Sequence, residues 1–307
     1  MNPTPIPHLA ELEELRGNPS IIYASSLTDD SLRMLYECLR KLGRTDRLDL
    51  VLSTSGGSVT TSRQVVILLR EYTQHLTILV PYRARSAGTL LCLGADELVL
   101  GPMAELGPID SHVSSVGQTP SDAPEMISSE DIRVFRQMAE DWFGVNRDED
   151  RLQVLALIAQ RVFPTSLSSF YRFDKLVRSI ADELLSYQLP CADISTRQRI
   201  VDQLVAGYHA HDYVLSRTEA KELGLRVGDM SPREEHLLWE LNRAHGAQAA
   251  EYPGGGSGET VGLIASNNFQ ARQAIRRIVP HTQKRRWFQR GRTGSENGLN
   301  VNWEIDT

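Results

Sequence analysis

The sequence has little cysteine and no long apolar run. Its three cysteines, Cys38, Cys92 and Cys191, are widely spaced among 307 residues and predict neither a disulfide framework nor a zinc site. This low content indicates a reducing compartment, and Cys92, in an apolar stretch, is predicted to be a buried core thiol. No stretch approaches the roughly 20 apolar residues of a membrane-spanning helix. The first eight residues resemble no secretion signal. We therefore expect a cytoplasmic protein without a membrane span.

The charge balance also excludes some classes. The formal net charge is -6, which argues against a globally basic nucleic-acid-binding protein. Hydrophobic residues make up 41% of the chain, so it is able to bury a full core, and a wholly disordered chain is excluded.

Short apolar runs alternate with helical patterns along the first hundred residues. The runs at 21–24, 48–52, 76–80 and 97–100 predict buried strands. Helix-start chemistry at Thr28 and a repeat of leucines ending at Gly43 predict the first helix between them. This alternation indicates an α/β domain with mostly parallel strands.

The pattern is almost wholly helical from residue 130 to 188, and another helix is predicted at 195–207, whereas residues 111–129 read as a loop. The core candidates of the helical region are Trp142, Leu152, Leu155, Ile158, Val162, Leu176, Ile180 and Leu184.

Two segments carry the chemistry of the chain, Ser53–Val59 and Arg83–Thr89, and each joins a predicted strand to a predicted helix. The first N–H groups of a helix have no partner within it and attract negative charge. Gly56 and Gly57 allow backbone conformations with positive φ and a close approach of a ligand. A serine, Ser86, beside such donors is the arrangement that acyl transfer requires. The alternative is that Ser58 and Ser86 only cap their helices.

The order of these motifs resembles the ClpP/crotonase fold and, within it, the serine dehydrogenase proteinase (SDH) family, which is related to signal peptide peptidase A. The resemblance rests on the segments 55–59, 85–102 and 106–110, and on a second block at 211–227 where a His-Asp pair precedes a helix. It spans roughly residues 20–230. It implies ClpP/crotonase-like repeated β-α units with a helical layer, Ser86 as the nucleophile, and an oxyanion hole formed by Gly56, Gly57 and the amide of Ala87.

A serine nucleophile needs a base, and the sequence leaves its identity open. Signal peptide peptidases use a lysine downstream of the serine, but residues 87–174 contain none, and Lys175 is the best placed by order. ClpP-type sites use a histidine about 25 residues after the serine together with an aspartate. His112 follows Ser86 by 26 residues, and Asp110 stands at the acidic position of the family's pattern. The structural alternative for Lys175 is an exposed helix position.

The histidines of the second block offer a further group near the site. His209, His211 and Asp212 are spaced as metal ligands could be, but no second ligand cluster accompanies them, so we predict no metal and no cofactor. The alternative is that His211 and Asp212 form a hydrogen-bonded pair at a turn, and the resemblance places them close to the site.

The chain is expected to divide into an N-terminal extension (1–20), a ClpP/crotonase-like serine peptidase domain (21–245), a flexible linker (246–258) and a basic C-terminal tail (259–307). Glycine-rich composition predicts the linker. The tail contains seven arginines and one lysine, with Trp287 and Phe288 between them, so it could bind an acidic partner or nucleic acid, or form a solvated tail.

The predicted function is that of an ATP-independent serine peptidase that cleaves a polypeptide substrate and, as the resemblance implies, forms a homo-oligomer. One alternative is a catalytically inactive ClpP-like scaffold that uses its basic tail, favoured by the absent downstream lysine. A further alternative is a crotonase-type acyl-CoA enzyme, in which paired amides hold a thioester enolate and no serine is needed. The Arg-Ser-Ala-Gly-Thr turn would have no role in such an enzyme.

Overall fold

The computed structural model describes residues 6–109, 112–114, 126–161, 164–208, 210–246, 260–277 and 299–306. In these ranges the helices are α1 (Pro7–Arg16), α2 (Asp29–Leu42), α3 (Val59–Tyr72), α4 (Ala87–Leu93), α5 (Ser129–Phe143), α6 (Asp148–Arg161), α7 (Pro164–Gln188), α8 (Ile194–Ala206), α9 (Arg217–Leu223) and α10 (Pro232–Leu241), which a π-helical turn, Asn242–Gly246, follows. The strands are β1 (Ser20–Ala24), β2 (Thr45–Ser53), β3 (Thr73–Val80), β4 (Arg83–Ala84), β5 (Glu97–Leu100), β6 (Glu105–Leu106), β7 (His112–Ser114), β8 (Met126–Ser128), β9 (Val227–Gly228), β10 (Thr260–Ser266), β11 (Phe269–Arg277) and β12 (Leu299–Asp306).

A central sheet of eight strands has the order β12-β11-β10-β1-β2-β3-β5-β9. Within this sheet the neighbours among β1, β2, β3, β5 and β9 pair in parallel. The strands β10, β11 and β12 are added on the other side of β1 by antiparallel pairing. Two short pairs, β4-β6 and β7-β8, lie outside the sheet. This arrangement confirms the predicted α/β class with ClpP/crotonase-like β-α units and a helical layer.

The parallel strands β1, β2, β3 and β5 are largely buried on both faces of the sheet. Alternate residues of β2 belong to different cores, because Leu50 and Leu52 join the larger cluster with α2, α3, α4, α7 and α8, whereas Val51 packs with α1 and α10. A strand covered on both sides reads as a continuous apolar run, which is the signal that predicted it.

The first predicted helix is α2, and it forms between the predicted ends. The hydroxyl of Thr28 accepts the N–H of Ser31 in a capping box, and Gly43, with φ +83°, follows the last residue of α2. The strands β1, β2, β3 and β5 and the helices α5 to α8 likewise cover the predicted segments, with ends that differ by up to three residues.

Four predicted core residues of the helical region are exposed, so that part of the prediction was wrong. The exposed fractions are 77% for Trp142, 66% for Leu152, 54% for Leu155 and 40% for Leu176. Ile180 and Leu184 are buried as predicted, because their part of α7 packs on α4 and α8. Ile158 is half-buried, and Val162 lies outside the described residues.

The C-terminal part of the chain contributes to the central sheet. β10 pairs with β1 over Leu263–Ala265, and β11 continues the sheet beyond β10. Within the predicted tail, residues 260–266, 269–277 and 299–306 are therefore sheet strands. Residues 278–298, which include Trp287 and Phe288, lie outside the described residues, as do residues 247–258 of the linker. The division of the chain into four segments stays a prediction.

Candidate active site around Ser86

Two turns meet where β2 and β4 end. The N–H of Thr54 donates to the carbonyl of Arg83 (2.8 Å), and the N–H of Arg85 donates to the carbonyl of Thr54 (3.2 Å). Parallel pairing therefore continues past the end of β2 and brings the turn at 55–58 beside Ser86. The two segments that the sequence singles out are in contact.

A side chain on Gly56 would be crowded by the second motif. A Cβ on it would lie 3.1 Å from the carbonyl oxygen of Arg85, 3.2 Å from the Cβ of Ser86 and 3.5 Å from the nitrogen of Ala87. Its φ of +116° also favours glycine. The first motif thus packs its backbone directly on the second.

Ser86 has an unusual backbone conformation. Its φ is +51° and its ψ is -118°, and it is the one residue other than glycine with positive φ in the described part of the chain. It precedes α4 in the N-cap position, yet its side chain makes no capping hydrogen bond. Ser58, by contrast, accepts the N–H of Thr61 and caps α3. The capping interpretation is therefore right for Ser58 and wrong for Ser86.

The backbone donors beside Ser86 differ in availability. The N–H of Gly56 donates to the Oγ1 of Thr54 (3.1 Å), so that donor is already engaged. The hydrogen bonds of the described residues include none from the N–H groups of Gly57 or Ala87. Ala87 is the first residue of α4, where an N–H lacks an intrahelical acceptor.

Ser86 and Gly57 open into a cleft of ≈ 440 Å³. It is lined by Ser55, Gly57, Ser58, Val59, Thr60, Ser86, Phe173 and His211. The cleft joins the nucleophile candidate to one titratable side chain, His211, which is 125 positions away in sequence. Val59 and Phe173 give it an apolar wall.

The loop that carries His211 is fixed at several points. Its turn is closed by a hydrogen bond from the N–H of Tyr213 to the carbonyl of Ala210 (3.2 Å). The ring of Tyr213 stacks on that of Tyr208 with centroids 4.5 Å apart, and its hydroxyl donates to Glu219. Two hydrogen bonds between Leu215 and Leu106 (2.9 and 3.1 Å) then tie the loop to β6. His211 thus projects from a braced turn.

The structure does not bring Lys175 into this cleft. Phe173 lines it, and Lys175 lies two positions further along α7, about 200° around the helix axis. The Nζ of Lys175 lies 5.5 Å from the ring centroid of Tyr171, and the side chain is exposed. The exposed position that was its structural alternative is therefore the observed one.

The other sequence candidates stay predictions. Asp110 and His209 lie outside the described residues, and His112 belongs to β7, with no description of its side chain. Asp212 is exposed beside His211. Among the residues that the structure describes, no three histidine, cysteine, aspartate or glutamate side chains are grouped as a metal site would need.

Sequence reasoning missed Thr54 and Phe173. From the sequence, Phe173 could be assigned only to a helix, because no nearby residue indicates which face of α7 lies against the cleft at Ser86. Thr54 lies between the strand and the glycines. Threonine hydroxyls at such turns often hydrogen-bond the backbone of the residue two positions later, so the sequence did contain a signal for this role of Thr54.

Comparison with known proteins identifies the part of the chain that contains both the glycine turn and Ser86. Residues 11–131 match the family described as ClpP-like SDH-type serine proteinase. The match confirms the resemblance stated from the motifs and supports the predicted peptidase over the acyl-CoA alternative.

Two relatives from Methanocaldococcus jannaschii extend over more of the chain. The uncharacterized protein MJ0137 is 29% identical over 236 residues, or 76% of this chain and 71% of its own length. The uncharacterized protein MJ1495 is 26% identical over 234 residues, or 76% and 69%.

Two solved structures of 1510-N membrane-bound stomatin-specific protease variants were also matched. One has 13% identity, covers 69% of this chain and 77% of its own, and gives a TM-score of 0.41. The other, in complex with a substrate peptide, has 13% identity, covers 70% and 78%, and gives 0.40. In the described part of the present chain, no helix has the length and apolarity to cross a membrane.

Proposed function

We propose that this chain, which matches the ClpP-like SDH-type serine proteinase family over residues 11–131, is a serine peptidase with Ser86 as its nucleophile and His211 as the base. The observation that supports this proposal most is the cleft. Ser86, whose side chain does not cap α4, and His211 both line it. Polypeptide substrates follow from the family.

The first chemical step uses groups of this chain alone. His211 accepts the proton of the Ser86 hydroxyl while the oxygen attacks the carbonyl carbon of the scissile peptide bond. Negative charge then develops on the carbonyl oxygen, and the N–H groups of Gly57 and Ala87 donate to it. Preorganised donors of this kind lower the barrier because they need no reorganisation during the reaction.

The second half of the reaction returns the proton. His211 gives it to the leaving amine, which departs as the new N-terminus of the product and leaves an acyl ester on Ser86. A water molecule, deprotonated by His211, then attacks the ester, and Ser86 recovers its proton. The two halves use the same base and the same donors.

The strained backbone of Ser86 supports this assignment. A non-glycine residue with φ near +51° costs free energy that the surrounding fold must supply, and such residues cluster at functional sites. The conformation lifts the side chain off the α4 terminus instead of folding it back as a cap. Ser86 lines the cleft, and its hydroxyl makes no capping bond to its own helix.

A fluorophosphonate probe tests the nucleophile without a known substrate. We expect it to label the unsubstituted protein at Ser86, as located by peptide mass spectrometry, and to leave the Ser86→Ala variant unlabelled. The matched control is Ser231→Ala, which removes a serine that caps α10 on the other face of the sheet. It should be labelled normally while losing about 1 kcal/mol of stability.

The base is identified by comparing His211→Gln with His112→Gln and Lys175→Met. We expect His211→Gln to slow labelling by about 10²-fold or more and the other two to change it little. Loss of labelling in His112→Gln with normal labelling in His211→Gln would assign the base to His112. A folded protein that is not labelled at all would exclude the peptidase and favour the scaffold.

The remaining predictions concern the setting of this activity. The homo-oligomer, the cytoplasmic location, the independence from ATP and an acidic or nucleic-acid partner for residues 259–307 stay predictions from the sequence.

A further inference from the structure

Thr54 connects both halves of the candidate active site. It is buried, with 1% of its surface exposed. Its backbone pairs with Arg83 and Arg85 and so holds the segment that leads into Ser86. Its hydroxyl bonds to Gly56. One residue therefore touches the nucleophile segment with its main chain and the glycine turn with its hydroxyl.

The hydroxyl of Thr54 holds both polar groups of Gly56. Its Oγ1 accepts the N–H of Gly56 (3.1 Å) and donates to the carbonyl oxygen of the same residue (3.3 Å). That carbonyl oxygen also accepts the N–H of Leu27 (2.9 Å). The carbonyl of Gly56 is thus fixed in direction by two donors.

The direction of this carbonyl sets that of the Gly57 N–H. The C=O of Gly56 and the N–H of Gly57 belong to one peptide group, which is planar and trans, so the two bonds point in opposite directions. With the carbonyl turned toward Leu27 and Thr54, the N–H of Gly57 is turned away from them. Gly57 lines the cleft with Ser86, and no described residue accepts a hydrogen bond from its N–H.

We infer that Thr54 is a positioning residue that aims the Gly57 N–H at the oxyanion, an inference that rests on the function proposed above. Glycine allows many orientations of this peptide, since Gly56 and Gly57 both have positive φ and no side chain to restrict them. The Thr54 hydroxyl supplies the missing restraint.

The test measures fluorophosphonate labelling of Ser86 at several probe concentrations. Thr54→Val keeps the shape and the backbone bonds but removes the hydroxyl. We expect its maximal labelling rate to fall by about 10²-fold, as a small misplacement of a catalytic group does, with an unchanged half-saturating probe concentration. A structural role alone would not separate these two quantities.

Thr77→Val is the matched control. Thr77 is equally buried, in β3, and its Oγ1 has no hydrogen-bond partner among the described residues, so the same substitution removes nothing from the site. We expect it to be labelled like the unsubstituted protein.

A second pair of variants decides the question if Thr54→Val does not fold. The Cγ2 of Thr54 lies against Gly88, and both Thr54→Ser and Thr54→Ala remove that methyl. The two differ only in the hydroxyl, so we expect Thr54→Ser to be labelled at least about tenfold faster.

The outcomes separate the inference from the function on which it rests. The inference is overturned if Ser86 is labelled with equal maximal rates in Thr54→Val and the unsubstituted protein. It is also overturned if Thr54→Ser and Thr54→Ala are labelled at equal rates. Either result leaves the peptidase proposal standing. An unsubstituted protein without labelling at Ser86 overturns both.

Discussion

Gly57 is the position where a single methyl group should do most damage to both fold and site. A Cβ built on it lies 2.5 Å from the carbonyl oxygen of Leu27 and 2.8 Å from the nitrogen of Leu27. Real Cβ atoms do not approach backbone so closely, so Gly57→Ala must push the two segments apart. Its φ of +140° is also a conformation that alanine rarely adopts.

The cost follows from what the separation would break. Leu27 donates its N–H to the carbonyl of Gly56 and accepts the N–H of Ser58, both at 2.9 Å. Losing a hydrogen bond in a protein costs about 1 kcal/mol, and holding a residue in a sparsely populated backbone region costs about 1–3 kcal/mol. We expect Gly57→Ala to lower the free energy of unfolding by about 3–5 kcal/mol.

Gly17→Ala is the control for the conformational part of this cost. Gly17 ends α1 in the left-handed region, with φ +69°, and a Cβ there meets no atom of a described residue within 4 Å. We expect a loss of about 1–2 kcal/mol from the left-handed conformation alone. Urea unfolding followed by circular dichroism measures both variants under the same conditions.

Labelling of Ser86 adds a second readout. Gly57→Ala should abolish it below the urea transition, whereas Gly17→Ala should leave it unchanged. If Gly57→Ala is no less stable than Gly17→Ala and is labelled at the normal rate, the contact with Leu27 does not constrain the turn, and Gly57 is not an oxyanion donor.

Two further perturbations test the buried charge and the buried thiols. Arg16→Met removes the guanidinium that lies 2.5 Å from Asp49, whose side chain is fully buried, so we expect urea unfolding to show a loss of about 3–5 kcal/mol; a loss below about 1 kcal/mol would mean that the pair behaves like an exposed one. Burial raises the pKa of Cys38 to about 12, and it raises that of Cys92 as well. The folded state therefore keeps protons that the unfolded state releases above pH about 8.5, and the free energy of unfolding should fall by about 1.4 kcal/mol per thiol for each further pH unit, up to the folded-state pKa. Unfolding measured at pH 8, 9 and 10 should give a shallower fall in Cys38→Ala than in the unsubstituted protein; equal slopes in the two would contradict the burial argument.

Local signals account for most of what the sequence predicted correctly. The cap at Thr28 and the glycine at 43 act within a few residues of the helix ends, so the bounds of α2 were readable. The strand before Thr54 is apolar because the sheet is covered on both faces. The glycine turn was also readable, because positive φ restricts which residue stands there.

Signals that depend on a distant partner were not readable. Leu152 and Leu155 follow a helical period, but the period does not tell whether anything covers that face, and both are exposed. In β11, Phe269 and Ala271 are buried and alternate with polar positions, a strand pattern that the nearby arginines obscured. The strand becomes intelligible only with its partner β10 in place.

The candidate site divides along the same line. Ser86 and the glycines carry local backbone requirements, and these made them visible in the sequence. A histidine base has no such local backbone requirement, because it needs no special φ and no cap. Its role depends on which loop of the fold lies at the cleft. Spacing from Ser86 favours His112, which stays a prediction, whereas the pairing of Leu106 with Leu215 holds the loop of His211 at the cleft that Ser86 also lines. A site whose nucleophile is local and whose base is supplied by a distant loop allows the base to change position in sequence while the chemistry stays the same. The lack of a lysine in residues 87–174 is, on this argument, compatible with an active enzyme.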